Sequence, residues 1–337
     1  MSLIYRRRAN QPSFTHVIND YLGEIKPFIK RTNKKHLLIP LIILKTIEWG
    51  IYRWYKTPIR RFYGVKGNEL IYMITKRCNE KCAKCGIWKT PEKDIEHIDI
   101  SIFINCLKTL NENLYQVTLT GGEPLLYLND VLIIAEESRK QDILLITVTN
   151  GVLITEAFLK KYSELNQILV ISLDTLEKDK WNDFRGNDSF DKVMENVKLS
   201  KKYLGSNLQI QSVLAAESIS EIPNLKKFCK DLGIKHVIQQ YMDFGGIWNS
   251  SISESSNANE FSCAARKNIC IYPNGDVVKC FDHRRIPLAK EPLGNIGKED
   301  IIQILCKKRS TEVSKIMKTC DFPCKHLSCN VPEIIYN

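Results

Sequence analysis

Leu70-Ile71-Tyr72-Met73-Ile74-Thr75-Lys76-Arg77-Cys78-Asn79-Glu80-Lys81-Cys82-Ala83-Lys84-Cys85-Gly86 joins an apolar run to three cysteines at the spacing C-x3-C-x2-C. The run reads as a buried strand. A loop leaving such a strand can fold three thiolates around one cubane iron–sulfur cluster, whose usual ligands are thiolates. Three ligands leave the fourth iron of a [4Fe-4S] cluster without a protein donor, and an open iron is a place for chemistry. Zinc is the alternative. It wants a fourth ligand close by, and the nearest histidine, His97, lies twelve residues past Cys85.

Outward from this stretch, residues 69–241 alternate strand and helix. Strand-like runs fall at Glu69–Thr75, Tyr115–Thr120, Ile143–Thr149, Ile168–Leu173, Asn207–Leu214 and Lys235–Tyr241, with helical patterns near 99–111, 128–140, 155–163, 189–204 and 219–232. Such alternation means a parallel α/β sheet, and six units make a partial (β/α)6, TIM-like barrel. Active groups gather where the strands of such barrels end. Gly121-Gly122-Glu123-Pro124 follows the second strand, and Thr149-Asn150-Gly151 ends the third. Ser172-Leu173-Asp174 ends the fourth, with Arg185-Gly186 beyond it, and Gln211 and Ser212 lie in the fifth. Each also has a plain structural reading: a Gly/Pro turn, an Asn-Gly turn, or an arginine that only braces the fold.

Taken together, these motifs resemble the radical S-adenosylmethionine (radical SAM) enzymes over residues 66–242. The resemblance implies that the amino and carboxylate groups of SAM chelate the open iron held by Cys78, Cys82 and Cys85. One electron then cleaves the sulfonium to a 5′-deoxyadenosyl radical, which takes a hydrogen atom from substrate. It places Gly121, Gly122 and Glu123 at the SAM amino group, and Asn150, Ser172, Asp174 and Arg185 around the rest of the cofactor. Arg185 would pair with the SAM carboxylate. Apart from the resemblance, the place of Gln211 and Ser212 in the fifth strand puts them within reach of the adenine. The chain departs from the family at Lys84, where an aromatic residue usually covers the adenine. Either Trp88 or Ile87 takes that role, or the adenine sits differently.

Residues 243–262 read as a Ser/Asn/Glu-rich linker, and 263–337 as a small cysteine-rich extension. Cys263, Gly275 and Cys280 form C-x11-G-x4-C around a hairpin, Ile271 to Val278, with an Asn274-Gly275 turn. Cys320-x3-Cys324-x4-Cys329 closes the chain. This resembles the SPASM/twitch extension of radical SAM enzymes. The tail is shorter than a full SPASM set, so Cys263, Cys280 and two of Cys320, Cys324 and Cys329 would hold one auxiliary [4Fe-4S] cluster. A two-residue turn sets Cys270 opposite Lys279 and away from the face of Cys280, as buried filler, whereas a three-residue loop would reverse the argument. Cys106, Cys229 and Cys306 sit in helical patterns and read as core. His326 is a histidine to test as a ligand, and His283 reads as surface.

Of the net charge of +11, residues 1–70 carry fourteen Lys/Arg against four Asp/Glu, so about +1 is left for the other 267 residues. Residues 1–65 read as a helical arm in which Leu37–Leu44 is followed by Trp49, Tyr52, Trp54 and Tyr55 among basic residues. The apolar run is too short to span a bilayer. It fits a helix in a membrane interface drawn by anionic headgroups, or one packed on its own barrel; nucleic acid is a weaker fit. The start has no secretory h-region, so twelve cysteines point to metal-binding thiols in a reducing cytoplasm. The expectation is a cytoplasmic enzyme, peripheral on the inner face of the membrane. It would be served by a flavodoxin or ferredoxin reductant and act on a membrane lipid or lipid-linked sugar. The alternatives are a SPASM-type peptide or protein maturase and, remotely, a zinc protein with a nucleic-acid arm.

Overall fold

The computed structural model describes residues 69–83, 85–90, 97–111, 114, 116–214, 218–240, 268–281 and 291–317. The arm at 1–65 and the linker at 243–262 lie outside them. Six strands, β1 (Glu69–Thr75), β2 (Gln116–Gly121), β3 (Leu144–Thr149), β4 (Ile168–Ser172), β5 (Leu208–Leu214) and β6 (Lys235–Gln240), pair in chain order, all parallel. The helices between them are α1 (Ile100–Leu110), α2 (Leu128–Lys140), α3 (Glu156–Glu164), α4 (Lys178–Arg185), α5 (Phe190–Leu204) and α6 (Ile222–Asp231). This is the open, partial (β/α)6 barrel that the alternation implies, with most boundaries moved by a residue or so; α6 begins three residues later than the pattern and α4 has no counterpart in it.

Local chemistry starts several of these helices. The Asp99 carboxylate accepts from Ser101 N ahead of α1, and the Thr155 hydroxyl accepts from Phe158 N ahead of α3. Two contacts show which strand face the helices cover. Tyr72 of β1 stacks on Phe103 of α1 with ring centroids 4.1 Å apart, and the Tyr162 hydroxyl of α3 meets Thr147 Oγ1 and the Ile168 carbonyl, each at 3.0 Å. Leu70, Leu119, Leu145 and Ile171 share that face by register and are fully buried. Each such side chain contributes about 1.5–3 kcal/mol through burial. The alternate residues, among them Met73, Thr120, Val148, Ser172 and Gln211, face the inner side of the sheet.

The C-terminal hairpin joins the same sheet and corrects one expectation. β7 (Ile269–Ile271) pairs parallel with the free side of β1. β8 (Asp276–Val278) and β9 (Gly294–Asn295) then add antiparallel strands. The result is one nine-stranded sheet of order β6-β5-β4-β3-β2-β1-β7-β8-β9. The turn holds three residues, not two, since Tyr272 N donates to the Asp276 carbonyl and Gly275 sits at φ +86°. Cys270 therefore opposes Val278, not Lys279, and shares its face. Its surroundings are still those of filler: it is buried with Met73, Val278 and Phe281, against Ile71 and Ile87.

Cys106 and Cys229 are core residues as expected, whereas Cys306 is exposed. Cys306 ends α7 (Ile301–Cys306), whose buried side is Ile301, Ile304 and Leu305. Helix α8 (Lys308–Ile316) follows directly. Among the described residues no helix is long and apolar enough to cross a membrane.

Candidate active site

The loop after β1 carries Cys78, Cys82 and Cys85, all half-buried. It is held from two sides. From β2, Gly122 N donates to the Thr75 carbonyl at 2.7 Å and Glu123 N to the Arg77 carbonyl at 2.9 Å. A Cβ on Gly122 would lie 2.1 Å from the Arg77 carbonyl oxygen, and one on Gly121 2.4 Å from that of Thr75. The room these glycines leave is filled by the backbone of Thr75, Lys76 and Arg77 at the start of the cysteine loop, so close backbone approach demands glycine at both positions. From α4, Lys81 N donates to the Arg185 carbonyl and Ala83 N to that of Phe184. Gly186 caps this helix at φ +71°, where a Cβ would crowd the Lys81 carbonyl.

Burial pushes the Cys78 thiol up to about 12 and Cys82 up to about 11, and it raises Cys85 as well. A hydrogen bond from Glu80 N works against the rise at Cys78, and the Arg185 charge works against it at Cys82. Three neighbouring thiols that keep their protons in the bare protein release them to a metal that brings its own positive charge. The three therefore fit a cluster. Among the described residues no three His, Cys, Asp or Glu side chains surround one metal ion. A cubane needs no such convergence, because its thiolates bind different irons, whereas zinc does. His97 is engaged elsewhere, with Nε2 at 2.9 Å from Asp130.

Glu123 is fully buried. Its Oε1 accepts from Leu125 N and the Thr149 hydroxyl, and its Oε2 from Asn150 N, at 2.7–2.8 Å. Asn150 Nδ2 in turn donates to Asn79 Oδ1 at 2.8 Å and lies 3.8 Å from Cys78 Sγ. The second and third strand ends are thus tied to the cluster loop through one carboxylate. Burial raises Glu123 to about 7 despite these donors. The folded chain holds this proton where the unfolded chain, near 4.5, has lost it. Glu123 therefore contributes stability below pH 4.5 that disappears as pH rises through 7, about 3 kcal/mol in all. Denaturant melts at pH 5 and pH 8 should show that loss in the wild type, and Glu123→Gln should remove it.

Arg185 is nearly buried under the fourth strand end, its guanidinium stacked 4.9 Å from the Trp181 ring. Nη2 donates to the Ser172 carbonyl and to Asp174 Oδ2, both at 3.0 Å. Nη1 lies 3.6 Å from Glu80 Oε2 and 3.9 Å from Cys82 Sγ, and Nε is buried with no protein partner. Burial works against the charged form of Arg185, but Asp174, Cys82 and Glu80 outweigh it. Asp174 also accepts from Val213 N at 2.8 Å, joining β4 to β5.

Other expected residues fall differently. Ser212 does not face the inner side: it is fully buried, donates to the Leu173 carbonyl at 2.6 Å and meets His236 Nε2 at 2.7 Å. Burial, helped by Lys226, lowers His236 to about 4 and keeps it neutral. Gln211 does face inward and donates to Gln239 at 2.5 Å. Ile87 packs toward the hairpin, and the Trp88 indole N–H folds back onto the Cys82 carbonyl at 3.1 Å. Cys280 is half-buried just after β8. Lys84, Cys263, His283, Cys320, Cys324, His326 and Cys329 lie outside the described residues. Glu80, Ser189 and Trp181 were not foreseen. Trp181 and Arg185, four residues apart and closed by Gly186, form the short signal of the helix that carries them.

Residues 72–229 match the family model of the radical SAM superfamily, and residues 263–330 match SPASM, an iron–sulfur cluster-binding domain. The GTP 3′,8-cyclase of Aliarcobacter butzleri is 30% identical over 188 residues, 54% of this chain and 57% of that protein. The pre-heme d1 synthase of Dinoroseobacter shibae is 25% identical over 211 residues, 60% of this chain and 50% of that one. The chain spans about half the length of the curated relatives it matches. Streptococcus suis SuiB bound to S-adenosylmethionine superposes at a TM-score of 0.63, over 91% of this chain and 85% of that one, at 15% identity. SuiB bound to its precursor peptide SuiA gives 0.63 over 90% and 84%, also at 15% identity. The structure of anSMEcpe with bound AdoMet gives 0.57 over 73% and 79%, at 20% identity. At these identities the likeness is one of fold.

Proposed function

The chain belongs to the radical SAM superfamily and carries a SPASM iron–sulfur cluster-binding domain, and from that premise we propose that it is an enzyme acting on a peptide or protein. Its cofactors are SAM, the [4Fe-4S] cluster of the family and auxiliary iron–sulfur chemistry in the C-terminal domain; we assign it a single auxiliary cluster. When bound, these supply a one-electron cleavage of SAM and an oxidant for a substrate C–H bond. Cys78, Cys82 and Cys85 hold the first cluster. Glu123 braces Asn150 against the loop, while Ser172 and Asp174 hold Arg185 at the rim. In this reading Arg185 chiefly fastens the cluster loop, and its buried Nε is the part left to meet a ligand.

The observation that carries the peptide reading is the chemistry of the inner face. Thr118, Thr120, Ser172 and Gln211 share the inner face with Met73, Ile146, Val148 and Val170, and by register its charged strand residues are Glu69, which accepts from Thr118 and Gln116, and Lys235. A wall of mainly uncharged donors and apolar residues, with one carboxylate and one lysine, suits a polypeptide, whereas a nucleoside triphosphate calls for clustered lysines and arginines. SuiB, with the same fold, is seen with a precursor peptide. The membrane-lipid reading rests on the sequence of residues 1–65 alone.

The test is anaerobic incubation with SAM, a low-potential reductant and a random peptide pool. The expected result is peptide-dependent 5′-deoxyadenosine with a matching mass change in a peptide. If GTP or a lipid extract stimulates turnover and peptides do not, the peptide reading is wrong.

A further inference from the structure

We propose that Glu80 is a positioning residue that sets how much of the Arg185 charge reaches the Cys82 sulfur, and so keeps the reduction potential of the SAM-binding cluster low. This rests on the radical SAM reading of the site. Glu80 lies inside the C-x3-C spacing, between the first two ligands, and is 1% exposed. A carboxylate withdrawn from water this far needs fixed partners. Its Oε1 accepts from the Ser189 hydroxyl at 2.8 Å, and Ser189 is itself held by the Trp181 indole N–H at 3.0 Å. Its Oε2 lies 3.6 Å from Arg185 Nη1 and 3.9 Å from Cys82 Sγ.

The guanidinium is divided by this arrangement. Nη2 is committed to the Ser172 carbonyl and Asp174, so Nη1 is the end that faces the ligand sulfur, at 3.9 Å. Hydrogen bonds and positive charge at cluster sulfurs favour the reduced cluster and raise its potential. Glu80 shares the same Nη1 and offsets that charge. A cluster that must pass an electron to a sulfonium needs the opposite of stabilisation in its reduced state. The backbone clamp from Lys81 and Ala83 to α4 holds the loop independently of the carboxylate. Geometry and charge can therefore be varied separately.

Glu80→Gln keeps the shape and a partner for Ser189 but removes the charge. In the anaerobic full-length holoenzyme, EPR-monitored redox titration follows the signal that changes when SAM is added, which distinguishes this cluster from the auxiliary one. The expected result is wild-type iron content and melting temperature, with the midpoint moved to a less negative potential. Glu80→Asp, which restores the charge, should move it back toward the wild-type value. The midpoint is read on the loaded fraction, so reduced loading does not blunt the comparison. An unmoved midpoint in Glu80→Gln, or equal shifts in Gln and Asp, would overturn the proposal and leave the enzyme reading standing. A wild-type protein with no SAM-responsive signal would sink both.

Discussion

Cys82→Ala, purified without oxygen, should hold about four irons per chain where the wild type should hold about eight, two cubanes of four. Its reductive cleavage of SAM should fall by about a thousandfold or more, a barrier increase of about 4 kcal/mol. Cys82 is the middle ligand, and its backbone already carries the loop: its carbonyl accepts from Cys85 N and from the Trp88 indole. Alanine leaves those bonds in place, so the loss belongs to the sulfur and not to the fold. The melting temperature of metal-free protein should stay within a few degrees of metal-free wild type. Iron analysis, visible absorbance and 5′-deoxyadenosine formation check this together. Full iron with undiminished cleavage would remove the catalytic cluster from this loop.

Gly122→Ala should be the most damaging conservative change in the barrel. The new methyl would meet backbone on every side, 2.1 Å from the Arg77 carbonyl oxygen, 2.6 Å from its carbon and 2.8 Å from the Lys76 carbonyl oxygen. No side chain can swing away, so the β2 end and the cysteine loop must part. That breaks Gly122 N to Thr75 O and Glu123 N to Arg77 O, and it moves the carboxylate that ties Asn150 to the loop. Overpacking against rigid neighbours costs about 1–3 kcal/mol and sometimes more. With the two lost bonds, about 3 kcal/mol or more is expected, a fall of roughly 6–12 °C in melting temperature. Cluster loading should fall with it. A variant that melts and loads like wild type would show that the loop has another resting place.

The parts of this molecule that were legible in advance are those written locally. Ile168–Ser172 is a nearly continuous apolar strand, and C-x3-C-x2-C places its ligands in one turn of chain. What escaped depends on partners distant in sequence. Lys178–Arg185 is so polar that only Trp181 and Arg185 are buried, and no periodic apolar stripe announces it. The hairpin register is ambiguous in sequence, because Asn274-Gly275 suits a two-residue turn and a three-residue loop alike. The apolar surroundings of Cys270, Met73 and Phe281 select the latter, and a slip of one residue exchanges faces. The partners of Glu80 are Ser189 and Arg185, more than a hundred positions on, which no spacing rule reaches.

The parallel pairing of β7 with β1 means that the barrel and the cysteine-rich end do not make two shippable modules. Cut after β6, the chain would present β1 as a bare hydrogen-bonding margin beside its own metal loop, a ready template for a stranger's strand. The hairpin is the selvedge that keeps this fabric from fraying.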